Sequence, residues 1–100
     1  MEHTESPRIA FLGLGVMGSA MLRNLAARGY AVAGYDVVPA AMDRLAGTGY
    51  RRAASPLDAA RGCDVAITML PTSAHVREAL FGAEGAAAGL NPGALVIEMS

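Results

Sequence analysis

The sequence predicts an α/β fold, a Rossmann-type doubly wound parallel sheet truncated after about five strands. Three observations predict it. Short apolar runs alternate with helical stretches along the whole chain, the pattern of a parallel sheet with right-handed crossovers. The first run, Ile9–Leu12, passes into a glycine turn (Gly13, Gly15, Gly18) and then an amphipathic segment that stops at Gly29. Asp36 closes the second apolar run, about twenty residues after the turn, where a dinucleotide-binding unit places a carboxylate.

In a G-x-G-x-x-G turn each glycine has a separate task. Gly13 allows the tight exit from the strand, Gly15 lets a pyrophosphate approach the backbone, and Gly18 lets the helix lie close to the strand. The helix, expected over Met17–Arg28, buries Met17, Met21, Leu22 and Leu25 on one stripe and turns Arg23, Asn24 and Arg28 outward. Its free N–H groups and positive dipole end face the turn and suit an anion. Gly29 suits a left-handed cap.

Tyr30–Tyr35 is apolar on both faces, as a strand covered on two sides should be. Pro39 opens a helix over Ala40–Ala46, which Gly47-Thr48-Gly49 ends. Tyr50–Ala53 is a short third strand. Ser55-Pro56 caps and starts a helix, with Asp58 in its first turn, that ends at Gly62. Asp64–Leu70 is the strand richest in β-branched residues and stops at Pro71. Thr72 or Ser73 caps a helix to Phe81. Gly82–Gly89 leads to a turn at Asn91-Pro92-Gly93, and Ala94–Met99 forms a last strand with an unprotected edge.

Composition excludes several classes of function. Hydrophobic residues make up 53% and charged residues 17%, so the chain is not disordered. A formal net charge of −1 gives no nucleic acid or anionic membrane as partner. No apolar run approaches the roughly 20 residues of a membrane span. Residues 1–7 read as a flexible leader with no signal-peptide core, and residues 8–100 as one dinucleotide-binding domain. His3, in the leader, carries no signal. One cysteine, Cys63, fits a reducing cytoplasm and a small buried filler. All eight basic residues other than the histidines are arginine, so no lysine is present to act as acid, base or Schiff-base former. No metal-ligand spacing and no Ser-His-Asp arrangement is found.

The chemistry therefore gathers on the ligand edge of the sheet. Asp36 can accept the adenosine ribose hydroxyls and repel a 2′-phosphate, and Val37-Val38-Pro39 supplies no arginine to bind one, which favours NAD over NADP. Arg44, Arg51 and Arg52 read as solvated charges rather than phosphate ligands. Leu70-Pro71-Thr72-Ser73 falls at the carboxyl end of the fourth strand, a cofactor-lining location even if it serves as terminator and cap. His75, one turn further, reads as a cofactor-side or surface histidine rather than a catalytic base.

With these residues in hand, the chain resembles the N-terminal domain of the β-hydroxyacid dehydrogenases, the family of 3-hydroxyisobutyrate dehydrogenase and tartronate semialdehyde (2-hydroxy-3-oxopropionate) reductase. IAFLGLGVMGSAMLRNLAARGY is similar to the family's G-L-G-x-M-G-x-x-M-x-x-N-L fingerprint, DVAITMLPTSAHV to its fourth-strand block, and NPGALVIEMS to the start of its D-x-S-[ST] motif. The resemblance implies that Gly13, Leu14, Gly15, Val16, Met17, Gly18, Asp36, Leu70, Pro71 and His75 line the dinucleotide site. It also implies that Ser100 begins a substrate-contacting pair. Glu98 departs from the family's usual Asp by one methylene. The implied reaction is reversible oxidation of a small 3-hydroxy acid, hydride passing to the nicotinamide while a lysine moves the hydroxyl proton. That lysine, the glycine-rich substrate loop and the helical domain through which a homo-oligomer would form are expected beyond these residues. The chain alone is expected to bind the nucleotide without turnover. An imine reductase, a 6-phosphogluconate dehydrogenase-like enzyme, and a non-catalytic nucleotide-binding module are the alternatives.

Overall fold

Alternation of strand and helix produces the expected sheet. A computed structural model describes residues 6–99. Five strands, β1 (Ile9–Leu12), β2 (Val32–Tyr35), β3 (Arg51–Arg52), β4 (Val65–Thr68) and β5 (Leu95–Glu98), form one sheet in the order β3-β2-β1-β4-β5, every neighbouring pair parallel. Helices α1 (Val16–Ala27), α2 (Pro39–Asp43), α3 (Pro56–Ala60) and α4 (Ser73–Phe81) connect them. The register aligns Leu12 with Tyr35 on one side and Thr68 on the other, and Thr68 with Glu98. The carboxyl ends of four strands therefore share one edge. The chain first builds outward from β1 to β2 and β3, then returns to build β4 and β5 on the other flank. The gap between β1 and β4 is thus the switch point at which open α/β sheets bind ligands.

Side-chain alternation along β1 divides the core. Ile9 and Phe11 face α1 and α2 with Leu22, Val32, Met42, Leu45 and Ile67. Ala10 and Leu12 face α3 and α4 with Ala59, Ala60, Cys63, Ala66, Leu80 and Ala86. The second layer is mostly alanine, which brings α3 close to the sheet. Phe11 and Leu22 are wholly buried, and each contributes about 1.5–3 kcal/mol by leaving water. No helix among the described residues is long and apolar enough to cross a membrane.

Several expected boundaries shift for identifiable reasons. β2 begins at Val32, not Tyr30, because the Tyr30 N–H donates back to Leu25 O (3.1 Å) and Gly29, at φ +91, donates to Ala26 O (3.0 Å). That pair of bonds is a Schellman cap on α1. α2 stops at Asp43, short of Ala46, because Leu45, Ala46 and Thr48 donate to carbonyls three residues back. A single 3-10 turn at Ala86–Ala88 interrupts the expected glycine-alanine connection. Met17, placed by periodicity in the buried stripe, is 68% exposed. It lies in the first turn of α1, beyond the sheet edge, and Gly18, Ser19 and Leu22 take the buried positions.

Other local signals hold. Ser55 Oγ accepts the Asp58 N–H at 3.0 Å, with Pro56 opening α3. Cys63 is buried, its Sγ donating to Ala59 O at 3.3 Å, and burial pushes its thiol pKa up. Asp64 accepts Asn91 Nδ2 (2.9 Å) and the Arg8 N–H (3.1 Å), tying the amino ends of β1, β4 and β5 together. The Asn91 bond, then the Arg8 amide, draws its pKa down. β5 lies at the sheet edge, paired only to β4, with Leu95, Val96 and Ile97 exposed.

Candidate functional site

The turn after β1 is shaped by close backbone contact. Gly13 has φ +99, and its N–H donates to Tyr35 O at 3.0 Å. A Cβ there would stand 2.9 Å from Leu70 Cδ2 and closer still to the Met69 carbonyl oxygen. The β1 and β4 loops therefore rest directly on one another. A Cβ on Gly18 would lie 3.2 Å from Gly13 C, 3.3 Å from Phe11 Cε1 and nearer yet to Gly13 O. Gly15 differs from both. It is the N-cap of α1 at φ −68, and nothing lies within 4 Å of where its Cβ would be. The first amide of α1 to turn inward is Ser19 N–H, which donates to Gly15 O at 2.8 Å. The earlier amides of Val16 and Met17 stay at the open mouth, where an anion finds donors and the positive helix end together.

Asp36 stands across from that mouth and bridges two loops. Its Oδ2 accepts the Leu14 N–H at 2.7 Å, and its Oδ1 accepts the Val38 N–H at 2.8 Å. The second bond is a local turn, not a helix cap, since Val38 is the N-cap of α2. A carboxylate has about four acceptor positions, so two remain for hydroxyl donors. The Leu14 side chain is wholly buried, and its contribution to the site is this one amide.

The remaining walls come from β4, α3 and α4. A cleft of about 460 Å³ is lined by Gly13, Gly15, Asp36, Leu70, Pro71 and His75, joined by Val37, Val38, Pro56, Met69 and Glu78 among others. Six of the ten residues expected at the cofactor site thus surround one cavity. Val16 and Met17 are exposed beside it at the start of α1, while Gly18 is buried beneath. Ser100, expected at the substrate, lies outside the described residues. Sequence reading passed over the wall made by Val37 and Val38, 78% and 53% exposed, although two valines in a turn beside a carboxylate are a usable signal. Glu78 was missed too; its spacing from His75 places both on one face of α4.

His75 is held by Thr72. The Thr72 Oγ1 lies 2.7 Å from His75 Nδ1 and also accepts the His75 N–H at 3.2 Å, as the N-cap of α4. No arginine lines the cleft. Arg51 pairs with Asp58 at 3.3 Å and Arg52 with Asp43, which agrees with their reading as surface charges.

Residues 8–100 match the family model described as the NAD binding domain of 6-phosphogluconate dehydrogenase. The NAD-dependent L-serine dehydrogenase of Pseudomonas aeruginosa is 44% identical over 93 residues, covering 93% of this chain and 31% of that protein. The solved 3-hydroxyisobutyrate dehydrogenase of Mycobacterium tuberculosis is 38% identical with a TM-score of 0.85, over 94% of this chain and 31% of that one. An imine reductase of Streptomyces aurantiacus is 29% identical with a TM-score of 0.79, over 93% and 31%. The chain spans about a third of the length of the curated relatives it matches.

Proposed function

The chain belongs to the family of the NAD binding domain of 6-phosphogluconate dehydrogenase, and from that premise we propose that its cleft takes NAD in preference to NADP. The parent enzyme would transfer hydride to and from a small 3-hydroxy acid, of the 3-hydroxyisobutyrate or 2-hydroxy-3-oxopropionate type. The observation that carries the cofactor preference is Asp36, bonded to Leu14 N–H and Val38 N–H with acceptor capacity left over. Two ribose hydroxyls fit that capacity, whereas a 2′-phosphate would meet a carboxylate with no arginine lining the cleft. The open space at Gly15 and the amides of Val16 and Met17 fit the pyrophosphate. Exposed Val37 and Val38 offer an apolar wall to the adenine.

The nicotinamide, when bound, supplies the carbon that takes or gives hydride; these residues bind and orient. Leu70, Pro71 and His75 are the cofactor-lining residues of the β4 side, and Ser100 is retained on the substrate side from the motif resemblance. The substrate class is supported by relatives whose names include L-serine and 3-hydroxyisobutyrate, both of which carry a hydroxyl on carbon 3. With no lysine, these residues alone bind the cofactor without turnover. A cytoplasmic setting belongs to the same proposal, with which a single free cysteine is compatible.

Calorimetric titration of wild type and Asp36→Ala with NADH and NADPH tests the assignment. Because Asp36 also holds Leu14 N–H, the substitution weakens both cofactors somewhat, and the NADH-to-NADPH affinity ratio is the informative quantity. It should fall by about tenfold or more, the worth of one charged hydrogen bond. An unchanged ratio removes the NAD preference.

A further inference from the structure

We propose that Thr72 is a positioning residue that fixes the His75 ring with its proton on Nε2, making His75 a hydrogen-bond donor to an oxygen of the bound dinucleotide. The inference rests on the cleft being the dinucleotide site. Its basis is the bonding of one hydroxyl. Thr72 Oγ1 already accepts the His75 backbone N–H and stands 2.7 Å from Nδ1 of the same residue. A hydroxyl has one proton and two lone pairs. If it gives that proton to Nδ1, the hydroxyl has one acceptor and one donor bond, both within the first turn of α4. In the reverse arrangement Oγ1 accepts twice and its own proton has no partner among the described residues.

The first arrangement leaves Nδ1 as acceptor and places the ring proton on Nε2. His75 also lines the cleft, and Nδ1 is tied back toward Thr72, so Nε2 is the ring nitrogen free to meet a ligand. Among the described residues, no other side chain lining the cleft is cationic or carries an N–H, and Asp36 and Glu78 are carboxylates. An N–H at this point can donate to a phosphate or ribose oxygen.

Nitrogen-15 NMR of the His75 ring in the full chain, with and without NADH, tests this directly. The expected wild-type spectrum has Nε2 protonated and Nδ1 bare before cofactor is added; a protonated Nδ1 in neutral His75 overturns the proposal. Thr72→Ser keeps the hydroxyl and should retain both the tautomer and the NADH affinity within about twofold. Thr72→Val should mix the tautomers and weaken NADH by about three- to tenfold, the worth of one hydrogen bond. Because valine also removes the helix cap, Thr72→Asp is the second variant. Aspartate caps well but only accepts, so it should move the ring proton to Nδ1 with α4 intact. Wild-type affinity and tautomer in both Val and Asp variants would overturn the proposal. Failure of wild type to bind NADH instead refutes the cofactor reading, because the ring spectrum is read without cofactor.

Discussion

Replacing each glycine of the turn by alanine should separate folding from binding. At Gly13 the methyl meets two penalties. Holding φ +99 with a side chain costs about 1–2 kcal/mol, and forcing Cβ against the Met69 carbonyl and Leu70 Cδ2 costs about 1–3 more. The sum, about 2–5 kcal/mol, is a large share of the roughly 5–15 kcal/mol that stabilises a domain. At about 4–8 °C per kcal/mol, Gly13→Ala should lower Tm by about 8 °C or more. Gly18→Ala should destabilise by about 1–3 kcal/mol or more, because its neighbour is the rigid Gly13 backbone and not a side chain that can turn away. Gly15→Ala should fold normally. Its φ of −68 is open to any residue, no atom lies near, and the reduced freedom of the unfolded chain offsets the poorer cap. That same methyl would fill the mouth, and NADH affinity should drop more than about tenfold through one lost charged hydrogen bond. The assays are thermal unfolding followed by circular dichroism and calorimetric titration with NADH. A Gly15→Ala protein that binds NADH like wild type, or a Gly18→Ala protein with unchanged Tm, would refute the division of tasks.

The other predictions concern stability. Thr68 is wholly buried in β4 and its Oγ1 has no hydrogen-bond partner among the described residues, so Thr68→Val should stabilise by about 1 kcal/mol; a lower Tm would show that the hydroxyl has a partner. Ser55→Ala removes the cap on α3 and should cost about 1 kcal/mol in a denaturant titration, with Ser55→Asp close to wild type. Asp58 and Asp64 have pKa values drawn below the usual carboxylate range, Asp58 by the Ala54 amide first and then Arg51, Asp64 by Asn91 and the Arg8 amide. Their stabilisation is therefore present at neutral pH, fully so above the unfolded-state value, and is lost as pH falls below about 4. Tm should hold from about pH 7 to about pH 5, one unit above the ordinary carboxylate range, then decline; a Tm that stays level into stronger acid contradicts the linkage.

Much of the fold was legible because the signals are local. Ser55-Pro56, Thr72 and Gly29 each act within one turn of helix, and each does so in the structure. Strand ends were less legible, since they depend on which amides a neighbouring element has already taken. Tyr30 reads as strand by its apolar run, but α1 claims its N–H. Met17 reads as core by its spacing, yet helical period cannot tell where the sheet beneath the helix stops.

From sequence alone, the order of strands and helices, the glycine turn after β1 and the carboxylate that closes β2 were determined, because these follow from backbone conformation and residue type over short spans. Only the tertiary structure decided that Asp36 bonds to the Leu14 amide, that Gly13 rests on the Met69 carbonyl, and that Val37, Val38 and Glu78 share a cleft with His75. Those contacts join loops that strand order brings together at the switch point. Strand order depends on how whole layers pack, which no short stretch of residues records.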